Sequence, residues 1–250
     1  MLFLVGLGLS DEKDLSLRGL EIVKAADRVY LEEYTSPFLG SLKKLEKVIK
    51  KKVILADREV VESKIDDILD AAKKKDVVFL LVGDVFAATT HIDIILRARK
   101  KKIKVKIIHN ASILTAVAET GLSLYKFGKI ASIPFGVPGW KVESPYNLLK
   151  ENKNAHTLFL LDLHPKEKKF MSFSQAIEFL LNIEGEKKEN RFTEETLCIG
   201  CAALGSEKQK IVVGAAKEVM KEKVSIVAQC LIVPGELHFV EKEALDFYRI

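Results

Sequence analysis

The residues of this chain that could do chemistry on a small molecule gather where apolar runs break. Six consecutive apolar residues, Val77 to Val82, run into Gly83-Asp84, and Thr89, Thr90 and His91 precede the amphipathic segment Ile92-Asp93-Ile94-Ile95-Leu96-Arg97. That pattern predicts a buried parallel strand, a tight turn and a helix. In open α/β sheets ligands bind outside the carboxyl ends of strands, so a carboxylate at position 84 could favour a cation or accept hydrogen bonds from a ligand. It could equally cap the helix that follows. The run Leu2 to Val5 breaks in the same way at Gly6-Leu7-Gly8, just before Leu9, and Val105 to Ile108 ends in His109-Asn110-Ala111-Ser112-Ile113. Two glycines there permit close backbone approach to a ligand. Ser112 suits either a ligand contact or a helix cap.

Other candidates are weaker. Gly6-x-Gly8 lacks the third glycine of a dinucleotide fingerprint, and Asp11-Glu12-Lys13-Asp14 occupies the turn. Cys198-Ile199-Gly200-Cys201 has C-x-x-C spacing without a second ligand pair, and with Cys230 it sits among apolar residues, which predicts buried thiols in strands. His91 and His109 stand at element ends where backbone bonding satisfies them. His238, within the strand-like Leu237-His238-Phe239-Val240, reads by pattern as a partly buried histidine. No general base and no metal ligand set stands out.

The elements that must position these residues alternate strand and helix through the first hundred residues. Strands are expected at Asp27 to Tyr34 and Val53 to Ala56, with helices at Leu15 to Ala26, Leu42 to Lys52, Ser63 or Asp66 to Lys75, and Leu114 to Thr120, the last ending at Gly121. Beyond that the texture changes. Pro134, Pro138 and Pro145 with Gly136 and Gly139 punctuate the chain, and the strands expected at Thr157 to Leu163, Thr196 to Ala202, Gln209 to Val213 and Ser225 to Val233 suit a mixed sheet. Helices are expected at Ser174 to Ile183 and Lys217 to Lys223, with a charged loop from Glu184 to Glu195. The expectation is two α/β domains, 1–110 and 111–250, the first with a mostly parallel sheet.

Composition narrows the function classes. With 250 residues, 48% of them hydrophobic, the chain can bury a sizeable core. Forty Lys and Arg against 35 Asp and Glu leave a net charge of +5. The basic runs Lys50 to Lys52, Lys73 to Lys75 and Arg99 to Lys102 fall at predicted helix ends, where cations favour the dipole, and no aromatics interleave with them as a nucleic-acid binder would require. No apolar run is long enough for a membrane span, and the start of the chain lacks a basic region and a cleavage signal, so a cytoplasmic protein is expected.

Several blocks together resemble the diphthine synthase family, a branch of the tetrapyrrole-methylase class of S-adenosylmethionine-dependent methyltransferases. They are Val5-Gly6-Leu7-Gly8-Leu9, Leu17-Arg18-Gly19-Leu20, Ala26 to Thr35, Gly83-Asp84, Ala88-Thr89-Thr90-His91, His109 to Ile113, Leu124-Tyr125-Lys126-Phe127-Gly128, His156-Thr157-Leu158, Leu161-Asp162, Glu195 to Cys198 and Leu237-His238. Val85 stands where the family usually has proline. The resemblance implies S-adenosyl-L-methionine in a cleft between the two domains, with S-adenosyl-L-homocysteine as product, and a homodimer that needs neither nucleic acid nor membrane. It maps the cofactor contacts onto Leu9, Asp84, Ala87, Ser112, Ile113, Leu163, Leu204 and His238. The reaction implied is repeated methylation, to the trimethylated product, of the amino group on a 3-amino-3-carboxypropyl-histidine of translation elongation factor 2. Two alternatives remain: a corrinoid or porphyrin methyltransferase of the same class, and a non-enzymatic basic RNA-binding module.

Overall fold

The structure, a computed structural model, describes residues 1–87, 89, 91–136 and 142–250, with the backbone alone at Glu62. Ala88 and Thr90 of the Ala-Thr-Thr-His block, and Pro138 and Gly139, lie outside the described residues. The chain divides into two units, Met1–Ala116 and Val117–Ile250.

In the first unit the elements are β1 (Leu2–Gly6), α1 (Leu17–Ala25), β2 (Arg28–Glu32), α2 (Leu42–Ile49), β3 (Val53–Ala56), α3 (Arg58–Glu62), α4 (Ile65–Ala72), β4 (Val77–Leu81), α5 (Ile92–Lys100), β5 (Val105–Ile108) and α6 (Ile113–Ala116). Its five strands are all parallel, in the order β3-β2-β4-β1-β5. Side chains of β4 alternate between two cores: Val77, Phe79 and Leu81 join α4 and α5 on one face, and Val78 and Leu80 join α1 and α2 on the other. A strand buried on both faces has no polar side to show, which is why Val77 to Val82 is apolar throughout. β1 and β4 are neighbours whose following helices lie on opposite faces of the sheet. This is the arrangement that opens a crevice at strand ends.

The second unit contains β6 (Ala131–Ile133), α7 (Ser144–Asn152), β7 (Thr157–Leu161), β8 (Leu163–His164), β9 (Lys169–Phe170), α8 (Phe173–Lys187), β10 (Leu197–Ala202), β11 (Lys210–Ala215), α9 (Ala216–Val219), β12 (Gln229–Val233) and α10 (Phe239–Asp246). Its main sheet, β11-β10-β12-β7-β6, is mixed: β6 and β7 are parallel and the other pairings antiparallel. A capping box of Ser172 and Gln175 starts α8, whose Phe173, Ala176, Ile177 and Leu180 fill the core against Phe159, Cys198 and Leu231. A Cβ on Gly200 would stand 2.8 Å from the Phe173 ring, so the glycine of the C-x-x-C segment makes room for an aromatic ring. All three cysteines are buried and free, as expected, and burial pushes the Cys198 thiol up.

Several sequence expectations change; the helix expected at Lys217 to Lys223 is the shorter Ala216–Val219, and the strand expected from Ser225 begins at Gln229. Leu237 to Val240 is no strand, because His238 is the N-cap of α10. The Leu114 to Thr120 helix is a short α6 continued by a 3-10 turn, Val117–Thr120. Residues Glu184 to Lys187 belong to α8 and not to a loop. The Glu184 carboxylate accepts the amides of Asn190, Arg191 and Phe192 and the Tyr146 hydroxyl, so its charge organises the turn beyond the helix. Finally α3, five residues long, was not foreseen.

Candidate functional site

In the first unit the turns after β1, β4 and β5 are bonded into one rim. Gly8 and Gly83 exchange backbone hydrogen bonds at 3.2 and 2.7 Å, both with positive φ, +84° and +77°. Most residues would be strained in that conformation. Gly6 is needed for a different reason, since a Cβ there would lie 2.6 Å from the Gly83 carbonyl oxygen.

Asp84 ties the turns after β4 and β5 together. Its Oδ1 accepts the Phe86 amide at 3.0 Å, while Oδ2 accepts the Asn110 amide at 3.0 Å and lies 2.8 Å from His109 Nδ1. Burial on its own would raise the carboxyl's pKa, but the Phe86 and Asn110 amides and the His109 ring outweigh it and hold the group below its usual value. Asp84 therefore does not cap α5, which begins eight residues later with no side-chain cap. Ser112 does act as a cap: its Oγ accepts the Leu114 amide at 3.2 Å and its carbonyl accepts the amides of Thr115 and Ala116. Leu9, Ala87 and Ile113 are half-buried. Leu9, Asp84, Ala87, Ser112 and Ile113 thus all stand at the carboxyl ends of β1, β4 and β5.

Two residues of this rim carry more than their types announced. Asp14 Oδ2 accepts the amides of Leu9 and Ser10 at 3.0 and 2.7 Å and so shapes the turn after β1. Asn110 Nδ2 donates to the carbonyls of Gly6 at 3.0 Å and Asp14 at 2.9 Å, joining the β5 turn to the β1 turn. A carboxamide directly after a strand end was the available signal. Val85 is fully buried in the core that contains Phe79. His91 is buried edge-on to Tyr34 and Phe79, and among the described residues neither ring nitrogen has a hydrogen-bond partner. His109, by contrast, is two-thirds exposed.

In the second unit Leu163 opens β8 just beyond the carboxyl end of β7, and Leu204 is buried in the turn after β10. β7 and β10 run the same way, so these two lie at one edge of the sheet. β12 runs the other way, and its carboxyl end leads to His238 at the opposite edge. There the ring of His238 is exposed, and its backbone amide donates to Glu241 Oε2 at 2.8 Å. Glu241 is buried and also receives the Ser123 amide, Lys126 Nζ and His156 Nε2.

The family described as tetrapyrrole (corrin/porphyrin) methylases matches residues 1–220. A diphthine methyl ester synthase of Bos taurus is 43% identical, over 100% of this chain and 95% of that protein. A diphthine synthase of Methanococcus maripaludis is 41% identical, over 99% and 98%. A crystal structure of diphthine synthase superposes with a TM-score of 0.90 at 36% identity, covering 99% of this chain and 95% of that one. The turns that join β1, β4 and β5 therefore belong to an enzyme: the chain is a member of the tetrapyrrole methylase family and, within it, of the diphthine synthase branch, a group of methyltransferases.

Proposed function

We propose that this chain transfers methyl groups from S-adenosylmethionine to the amino nitrogen of a 3-amino-3-carboxypropyl-histidine side chain on translation elongation factor 2. The observation that carries this reading is identity above 40% with diphthine synthases along essentially the whole chain. The rim in the first unit suits the cofactor. Asp84 offers negative charge to a sulfonium, and Leu9, Ala87 and Ile113 offer half-buried apolar surface to a nucleoside. A Cβ built on Gly83 would meet nothing closer than 3.9 Å, so there is space beside that turn. The same reading assigns Ser112 as a contact from the first unit, and Leu163, Leu204 and His238 from the second.

When bound, S-adenosylmethionine supplies a methyl carbon already activated by the sulfonium, and leaves as S-adenosylhomocysteine. What remains for the protein is to hold the reacting groups in line and to exclude water; such positioning can supply about 7–11 kcal/mol. Asp84 is ready for this at neutral pH because its carboxyl stays ionised there.

The test is to incubate the pure protein with methyl-labelled S-adenosylmethionine and elongation factor 2 carrying the unmethylated precursor. Label on the factor supports the reading; label on a corrinoid or porphyrin, or on nothing, overturns it. Several relatives are named methyl ester synthases, which favours a second reading in which a further methyl goes to the carboxylate oxygen. Mass spectrometry of the product counts three methyl groups for trimethylation alone and four for the ester. A homodimer belongs to the same proposal, and light scattering of the purified chain reads it.

A further inference from the structure

β8 and β9 form a two-residue hairpin in which His164 stands directly opposite Lys169. Both side chains rest on Phe135. Lys169 Nζ lies 4.0 Å from the centre of its ring, and the His164 ring meets it edge-on at 5.3 Å and 78°. The platform is anchored by one carboxylate: Asp162 Oδ2 accepts the Phe135 amide at 2.9 Å, and Oδ1 accepts the Leu163 amide at 2.9 Å. Phe135 and the hairpin are thus pinned together beyond the carboxyl ends of the parallel pair β6 and β7. Strand ends of parallel pairs are where α/β sheets present ligands.

Among the described residues neither nitrogen-bearing side chain is held by a close hydrogen bond: Lys169 rests on a ring, and the two His164 ring nitrogens face Asp162 and Glu167 only at ion-pair distance. Among the described residues Lys169 makes no ion pair and its partner is the Phe135 ring. His164 lies 3.5 Å from Asp162 and 3.7 Å from Glu167, too far for good hydrogen bonds. Asp162 is already engaged by two amides, and Glu167 sits on an exposed turn. Two adjacent donors on an aromatic platform match the two oxygens of a carboxylate.

We propose that His164 and Lys169 form a seat for the carboxylate of the aminocarboxypropyl substrate, an inference that rests on the function proposed above. The substrate's amine hangs on a short flexible chain that carries this carboxylate. Holding the acid removes rotational freedom from the nitrogen and presents it in one direction. The seat would also distinguish this side chain from other amines on the factor.

The experiment measures methylation of precursor-bearing elongation factor 2 by the full chain and by Lys169→Met, Lys169→Arg and His164→Gln, with calorimetry of S-adenosylmethionine binding alongside. Loss of one charge-assisted hydrogen bond predicts a KM for the factor raised about 10- to 100-fold in Lys169→Met. kcat at saturation also falls, because the amine is no longer presented in one direction, while the Kd for S-adenosylmethionine stays as in the parent. Lys169→Arg recovers most of the loss, since a guanidinium also pairs with a carboxylate. An unmoved KM, or a Kd for S-adenosylmethionine that rises in step with KM, overturns the seat. Should Lys169→Met fail to fold, His164→Gln carries the same comparison. A parent chain that methylates nothing sinks the proposed function, whereas an active parent with an indifferent Lys169→Met sinks the seat alone.

Discussion

Asp84 Oδ2 accepts the backbone amide of Asn110 at 3.0 Å, which fastens the turn after β4 to the turn after β5. The side chain of Asn110 continues the chain of bonds to Gly6 and Asp14 in the turn after β1. Three strand ends are thus held together by a few polar groups.

Substitution of Asp84 tests this bracing. Asp84→Ala removes the charge that the proposed function sets against a sulfonium and releases the Phe86 and Asn110 amides together. We expect S-adenosylmethionine affinity to fall about 10- to 100-fold, the worth of a charge-assisted contact. Calorimetry reads the affinity and circular dichroism the fold. Unchanged affinity in a folded variant would remove Asp84 from the site.

Gly6→Ala probes the same rim through backbone sterics. The new methyl would meet the Gly83 carbonyl at 2.6 Å and Asn110 Cβ at 2.9 Å, both held by neighbouring bonds. Overpacking of this kind costs about 1–3 kcal/mol. The expected result is a Tm lowered by several degrees and a weaker cofactor Kd. A variant as stable as its parent, binding S-adenosylmethionine equally well, would show that the turns are not rigidly joined.

What the sequence disclosed depended on how local the signal was. β1 and β4 were legible because burial on both faces leaves an unbroken apolar run, and the turns carrying Gly6, Gly8, Gly83 and Asp84 follow directly. α10 was not legible at its start: Leu237-His238-Phe239-Val240 mimics strand alternation, and the deciding group is Glu241, which accepts the His238 amide. A histidine at N-cap is outside the usual Ser, Thr, Asp and Asn set. Glu184 was misread for a related reason, since a charged run usually marks a solvated loop. Its carboxylate instead gathers three amides and a hydroxyl. The bracing role of Asn110 arises only when strands distant in sequence become neighbours, whereas the Asp14 carboxylate acts locally on the amides of Leu9 and Ser10.

Glu241 gives a prediction about acid. Burial alone would raise its carboxyl, but Lys126, the Ser123 and His238 amides and His156 together carry it down to about 2. Gly235 donates its amide to His156 Nδ1, so the ring proton sits on Nε2 and points to Glu241, and burial keeps that ring neutral. A depressed carboxyl stabilises the fold fully above its unfolded value near 4.5 and loses that contribution as pH falls toward 2. Glu241→Ala should cost about 3 kcal/mol at neutral pH by stranding its partners. Glu241→Gln should flatten the Tm profile between pH 4.5 and 2. A Gln variant with the parent's acid slope would refute this assignment.

His91 acts in a separate window. Burial against Tyr34 and Phe79 drives its imidazole down to about 4, and the nearby Val85 carbonyl offsets only part of this because its geometry falls short of a hydrogen bond. The unfolded chain takes up a proton near 6.5 that the folded chain refuses. Stability from a neutral buried histidine is therefore complete above pH 6.5 and lost as pH falls to about 4, a change of up to about 3 kcal/mol at 1.36 kcal/mol per unit. His91→Phe keeps an aromatic ring in the same apolar surroundings and removes the titration. Its Tm should drop less than the parent's between pH 7 and pH 4.5, while the Glu241 limb below that range stays. Equal losses in parent and variant across pH 6.5 to 4.5 would show that the proton uptake belongs to another group.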